Sequence, residues 1–264
     1  MATTYGSTTC DGSGTFTGLN TGGDGLVGFD SSNQQEGVAC LYTEMNGTAG
    51  YAYAYLDLST PIGNGDYFHI GGWLWFARDW DFETPHSEHI EGSTSVPAIE
   101  LYSTGSIKQI RLMCRPSQPA PSRHYWLIHS NIGNNIDIFD AGWHYGAWYY
   151  IDIYGYVDNT AGWVQVWENG IKRAEIAGID TYSGSDWDRL ILGASYENSA
   201  GTDICFVFDD FVVNDDASPS PPAGYGGTYG SPGNHNIIAP FYHDGRHCRG
   251  VVNSHWPTVL EWKH

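Results

Sequence analysis

The sequence is poor in three things: basic side chains, helical periodicity and paired cysteines. Its 264 residues include 11 lysines and arginines against 30 aspartates and glutamates, a formal net charge of -19. A surface of that sign repels a phosphate backbone, which excludes nucleic acid as a direct partner. No apolar run approaches the ~20 residues of a membrane-spanning helix. The opening MATTYGSTTCDGSGTFTG has neither a basic head nor an apolar stretch. The expectation is a protein made in a cytoplasm, with no signal peptide and no membrane partner. The five cysteines, Cys10, Cys40, Cys114, Cys205 and Cys248, are widely spaced with no CxxC pair. An odd number excludes complete pairing within the chain, and a reducing compartment of synthesis favours buried thiols. Glycine-rich phosphate loops, Ser-His-Asp signatures and thiol-redox motifs are also missing, and no cofactor is expected.

What is abundant is glycine and aromatic side chain: 34 Gly, 18 Tyr and 11 Trp, in a chain that is 41% hydrophobic. That mixture suits many short strands joined by tight turns, with enough apolar surface for a sizeable core. YAYAYLDLS places Tyr51, Tyr53 and Tyr55 on one face of a strand and Ala52, Ala54, Leu56 and Leu58 on the other, an alternation that helices do not produce. In DYFHIGGWLWF, Phe68, Ile70, Leu74 and Phe76 face away from His69, Trp73 and Trp75 if the pleat runs unbroken through the glycines. VPAIELYS, IKQIRLMCR, HYWLIHS and NIDIFD follow at short spacing. Two alternating strands at 147–157 and 162–168 flank DNTAG, and ENG marks a hairpin before IKRAEI. RLILGAS adds a further strand. A dozen strands without helices predict an all-β, two-sheet antiparallel sandwich.

The last strand, FVFDDFVVND, holds two adjacent aspartates among apolar residues. Plain alternation puts Phe206, Phe208, Asp210 and Val212 on one face and Val207, Asp209, Phe211 and Val213 on the other. The two carboxylates then point apart, which argues for structural roles: one accepting loop amide hydrogen bonds, the other solvated.

The order of these motifs resembles the concanavalin A-like, or laminin G-like, jelly roll: an early aromatic strand like FHIGGWLWF, then WYYIDIYGYVD, the hairpin strand GWVQVWENGIKR, LILGAS ending at glycine, and DDFVV last. The resemblance spans residues 14–216 and implies the jelly-roll fold. Laminarinase-type glucanases of that fold carry Glu-x-Asp-x-x-Glu on a cleft-facing strand. Asn135, Asp137 and Asp140 occupy the spacing here. Retaining hydrolysis needs one carboxylate to attack and a second, about 5 to 5.5 Å away, to donate a proton. Asn135 cannot attack, so no catalytic residue is assigned and the chain is not expected to be an enzyme. In carbohydrate-binding relatives aromatic side chains stack on sugar rings, which makes Tyr51, Tyr53, Tyr55, Trp73, Trp75, Trp80 and Trp143 the glycan-binding candidates.

DWDFETPHSEHIE gathers Asp79, Asp81 and Glu83 with Glu88, Glu91, His86 and His89, the oxygen-rich composition that a structural calcium ion would use, but in no defined loop spacing. His243, His247, Cys248 and His255 have the elements of a zinc site without its paired spacing.

The chain divides into an N-terminal extension (1–13), the sandwich (14–216), a Pro/Gly/Ser linker (217–236) and an apolar C-terminal arm (237–264). The arm carries Ile237, Ile238, Phe241, Trp256, Leu260 and Trp262, too many large apolar residues for a solvated tail. A sandwich with such an arm and an acidic surface resembles the jelly-roll proteins of tailed-bacteriophage virions, on capsids or tails. That resemblance implies a non-enzymatic structural subunit of the virion, a homo-oligomer partnered by its own copies and by a capsid or tail protein. Glycan binding is the alternative.

Overall fold

The computed structural model describes residues 2–32, 34–46, 50–76, 96–105, 108–116, 124–130, 135–140, 148–182, 184–195, 203–217, 240–243 and 246–249. Fifteen strands make the sandwich: β1 (Thr4–Thr8), β2 (Gly18–Gly22), β3 (Leu26–Asp30), β4 (Cys40–Asn46), β5 (Tyr51–Ile62), β6 (Tyr67–Phe76), β7 (Val96–Ser103), β8 (Lys108–Pro116), β9 (His124–Ser130), β10 (Asn135–Asp140), β11 (Trp148–Tyr156), β12 (Gly162–Glu168), β13 (Ile171–Ile179), β14 (Trp187–Ala194) and β15 (Asp203–Asn214). The first sheet runs β13-β12-β11-β6-β15-β4-β3, with β1 added against β15, and the second runs β10-β9-β8-β7-β14-β5-β2. All pairings are antiparallel. Among the described residues the only helix is a single 3-10 turn at Ser13–Thr15, so the all-β jelly-roll sandwich expected from the sequence is the observed fold. No helix of the described residues is long and apolar enough to cross a membrane.

The core lies between the sheets and follows the alternation. Ala52, Ala54 and Leu58 of β5 and Phe68, Ile70 and Leu74 of β6 point inward, meeting Ile99, Leu101, Leu190 and Leu192. The meander β11-β12-β13 closes on Asn169 and Gly170, both at positive φ (48° and 74°), the backbone that an Asn-Gly hairpin turn requires. Cys10, Cys40 and Cys205 are buried.

The structure corrects the sequence reading in two places. Residues 4–8, assigned to an extension ahead of the sandwich, form β1 and pair with β15 from Thr4↔Asn214 to Thr8↔Phe211. The second correction concerns β15 itself, which does not keep a plain alternation. Asp209 pairs with Trp73 and Val212 with Gly71, so one extra residue is accommodated between them, and Asp210 takes φ 45°. This bulge turns Phe211 and Val213 to the core side, where they join Phe206 and Phe208. A bulge is invisible to a period-2 reading, because nothing in the residue types marks where the period slips.

Asp209 is buried and its Oδ2 accepts the amides of Gln35 and Glu36 at 2.7 and 2.8 Å, which bears out the expected loop-binding role for one carboxylate. Asp210 is not simply solvated: burial, a hydrogen bond with Glu36 and the neighbouring Asp209 raise its carboxyl to about 7.

Beyond the linker, β16 (Pro240–His243) and β17 (Arg246–Arg249) form a hairpin that pairs Phe241 with Cys248 and Tyr242 with His247. The other arm residues, Ile237, Ile238, Trp256, Leu260 and Trp262, lie outside the described residues.

Removing the Asp209 carboxylate leaves two loop amides without their acceptor. Asp209→Ala is expected to lower stability by about 1–3 kcal/mol, read as a shift of the urea midpoint at neutral pH. Asp209→Asn, which keeps an acceptor oxygen, is expected to lose less. Equal midpoints for wild type and Asp209→Ala would refute the role.

Candidate functional site

The sandwich turns two outer faces to its surroundings, and the glycan-binding candidates divide between them. Tyr51, Tyr53 and Tyr55 stand on the outer face of the second sheet, because their neighbours Ala52 and Ala54 are taken by the core. Trp73 and Trp75 stand on the outer face of the first sheet, by the same logic applied to Leu74. Trp80 and Trp143 lie outside the described residues, as do Asp79, Asp81 and Glu83, the proposed calcium ligands. No group of three or more His, Cys, Asp or Glu with metal-binding geometry occurs among the described residues.

The three tyrosines form a continuous ladder, with ring centroids 6.0 Å apart from Tyr51 to Tyr53 and 6.5 Å from Tyr53 to Tyr55. The edge strand β2 gives them room. Gly22 pairs with Tyr51 and Gly18 with Tyr55, and a Cβ at Gly18 would stand 2.7 Å from the Tyr55 ring. The rings therefore lie over glycine backbone instead of standing on end. Between them, the Tyr53 hydroxyl accepts a hydrogen bond from Asn20 Nδ2 at 2.8 Å. Tyr51 is 37% exposed and Tyr53 and Tyr55 are half-buried.

Cross-strand register extends this face with charge that sequence reasoning missed. One row runs Tyr55, Ile191, Glu100, Arg111 and the next runs Asp57, Arg189, Tyr102. Arg189 caps the Tyr55 ring, its Cζ 4.1 Å from the centroid, and its Nε donates to Asp57 Oδ1 at 2.7 Å. The guanidinium is thereby held as a planar donor group at the end of the aromatic ladder. Glu100 is fully buried, with Arg111 Nε 3.5 Å from its Oε2. Burial raises the Glu100 carboxyl to about 7, against the pull of Arg111 and the Ser195 hydroxyl. The one sequence signal for this pair is a lone acid in AIELY and a lone base in IRLMC, each within an apolar strand.

The outer face of the first sheet is different in kind. Trp75 and Val207 with Cys40 and Cys205 form a second buried apolar cluster, with Trp148 packed 5.7 Å from Trp75 between ring centroids. Next to it, His69 Nε2 meets Asp152 Oδ1 at 2.9 Å in a fully buried pair, and the imidazole stacks on Tyr154 at 4.3 Å.

Asn135, Asp137 and Asp140 lie on β10, which pairs with β9 in an unbroken register from Asn135↔Ser130 to Asp140↔Tyr125. Position 140 is an odd number of residues from the other two, and no bulge restores its phase.

The fold so described is a two-sheet antiparallel jelly-roll sandwich. No protein-family model matches the sequence, and no curated protein matches it. Solved structures do match the fold. The endo-β-1,4-glucuronan lyase of the fungus Trichoderma reesei aligns at a TM-score of 0.55 and 15% identity, over 81% of this chain and 96% of that one. The alginate lyase Aly36B aligns at 0.52 and 12%, over 81% and 95%. The carbohydrate esterase of the Shiga toxin-encoding bacteriophage phi24B aligns at 0.51 and 13%, over 82% and 100%. At such identities the likeness is one of fold.

Glu100 gives a test by pH. Its carboxyl is raised from 4.5 to about 7, so the folded chain holds this proton where the unfolded chain has released it. The stability this contributes is complete below pH 4.5 and is lost as pH rises through 7. Glu100→Gln is isosteric and cannot ionise. Its stability relative to wild type is expected to rise by roughly 3 kcal/mol between pH 4.5 and 7.5, measured by denaturant unfolding. A difference independent of pH would refute the buried carboxyl.

Proposed function

We propose that this protein binds carbohydrate polymer on the outer face of its second sheet. The observation that carries the reading is the ladder of Tyr51, Tyr53 and Tyr55, with rings laid over Gly18 and Gly22 and closed at one end by Arg189. Successive flat apolar platforms match the repeating C–H faces of a sugar chain, and Asn20, Arg189 and the tyrosine hydroxyls supply the polar groups that fix orientation. The resemblance of the fold to two polysaccharide lyases and a carbohydrate esterase agrees with this chemistry. Tyr51→Ala and Tyr55→Ala are expected to weaken binding at least tenfold in affinity electrophoresis against laminarin, alginate and glucuronan, with the thermal unfolding midpoint largely kept for the exposed Tyr51. Wild type that migrates unretarded in all three polymers would overturn the proposal.

A second reading rests on Glu100, a carboxyl held near neutrality beside Arg111 on that same face. Such a group has the proton affinity that a general acid or base would use to cleave a polymer. New reducing ends released by wild type and not by Glu100→Gln, with binding retained, would establish cleavage. Polymer left intact by wild type assigns the face to binding alone.

The role of structural subunit, on a phage capsid or tail, is proposed from the sequence alone. Its support is the concentration of large apolar residues at 237–264 after the Pro/Gly/Ser linker. Burial against a neighbouring copy at about 1.5–3 kcal/mol per large side chain would stabilise an oligomer. Light scattering on the full chain is expected to give a defined oligomer, and a chain ending at Asp216 is expected to give a monomer. The same mass per chain in both would remove the arm from assembly.

A further inference from the structure

The outer face of the first sheet holds a hollow of about 330 Å³ that the tyrosine ladder does not explain. Its position follows from one glycine. Gly71 pairs with Val212 on one side and Asp152 on the other, and its missing side chain leaves a notch in an otherwise aromatic surface. Tyr150 and His69 lean over the notch: a Cβ on Gly71 would stand 2.8 Å from the Tyr150 hydroxyl and 2.9 Å from His69 Cε1. Ser7, Asp210 and Asn214 complete the rim, brought there by the pairing of β1 with the bulged end of β15.

His69, 2% exposed, forms one wall of this hollow, its Nε2 committed to Asp152. The lining says what the hollow would take. Asp210 and Asp216 line it, and no lysine or arginine among the described residues does, which disfavours an anion. The carboxylates accept hydrogen bonds, and the Ser7 hydroxyl and the Asn214 amide both donate and accept. A ligand hydroxyl matches all of them, since it donates and accepts. Val212 on the floor and the Tyr150 side chain offer apolar surface beneath such a ligand. The volume is that of a small-molecule pocket.

We infer that this hollow is a second ligand site, distinct from the tyrosine ladder and on the opposite face of the sandwich, taking one neutral polyhydroxylated unit such as an uncharged sugar residue. His69 forms one wall of the site, held by Asp152 through Nε2 and stacked on Tyr154. The inference does not depend on polymer binding at the ladder.

The test is isothermal titration of the full chain with methyl β-glucopyranoside, methyl β-galactopyranoside and methyl α-mannopyranoside, and with sodium glucuronate as the charged counterpart. Saturable binding of at least one neutral glycoside is expected, with glucuronate at least tenfold weaker. Ser7→Trp, at an exposed position of β1, is expected to fill the hollow and weaken binding at least tenfold, as is His69→Phe. Tyr51→Ala is expected to leave it unchanged. Should His69→Phe fail to fold, Ser7→Trp decides alone. The inference falls if no neutral glycoside binds, if Ser7→Trp binds as wild type does, if glucuronate binds as well as the neutral sugars, or if Tyr51→Ala removes the binding.

Discussion

The bulge in β15 is the constraint on which the arrangement of the first sheet depends. Up to Phe208 the strand is flanked by β4, and from Phe211 onward by β1. The exchange of neighbours takes place at Asp209 and Asp210, where one residue too many must be absorbed while the other flank, β6, continues on both sides of it. The left-handed backbone of Asp210 absorbs it, a conformation that aspartate tolerates better than most residues. Asp209 then ties the loop at Gln35 and Glu36 to the gap left between β4 and β1. Without the slip, Phe211 and Val213 would face outward and the Asp210 carboxyl would face the core. With it, four large apolar side chains line one side of a single strand.

The same slip shapes the surface. It carries Val212 and Asn214 to the outer face beside Gly71 and His69, and brings β1 alongside, so the hollow there is a product of the bulge as much as of the glycine. On the opposite side of the sandwich, glycine works differently. Gly18 and Gly22 make space for rings that arrive from β5, and the result is a raised ladder instead of a depression. The two faces therefore present contrasting chemistry, one extended and aromatic with a guanidinium at its end, the other a compact polar cup set among buried indoles.

Legibility differed between the two faces for a definite reason. The tyrosine ladder could be read directly, because alternation within one strand fixes which side chains share a face. Glu100, Arg111, Asp57 and Arg189 could not, since they meet only through the registers of β5, β14, β7 and β8, and Arg189 stands 132 residues from its partner Asp57. His69 and Asp152 are 83 residues apart and sit in two aromatic strands whose residue types suggest packing. Alternation also sent Trp73 and Trp75 to a face of their own strand without revealing that it is the far side of the sandwich from the tyrosines.

The sequence by itself determined the all-β class, the inward and outward assignment of β5 and β6 and the Asn-Gly hairpin, because each follows from local backbone preference or from a period of two. The tertiary structure decided the rest: the order of strands in each sheet, the entry of residues 4–8 into the sandwich, the slip at Asp209 and Asp210, and the meeting of acids, bases and rings from distant strands. Those depend on which strand lies beside which and in what register, and register is settled by packing across the whole sandwich, which no single stretch of sequence contains.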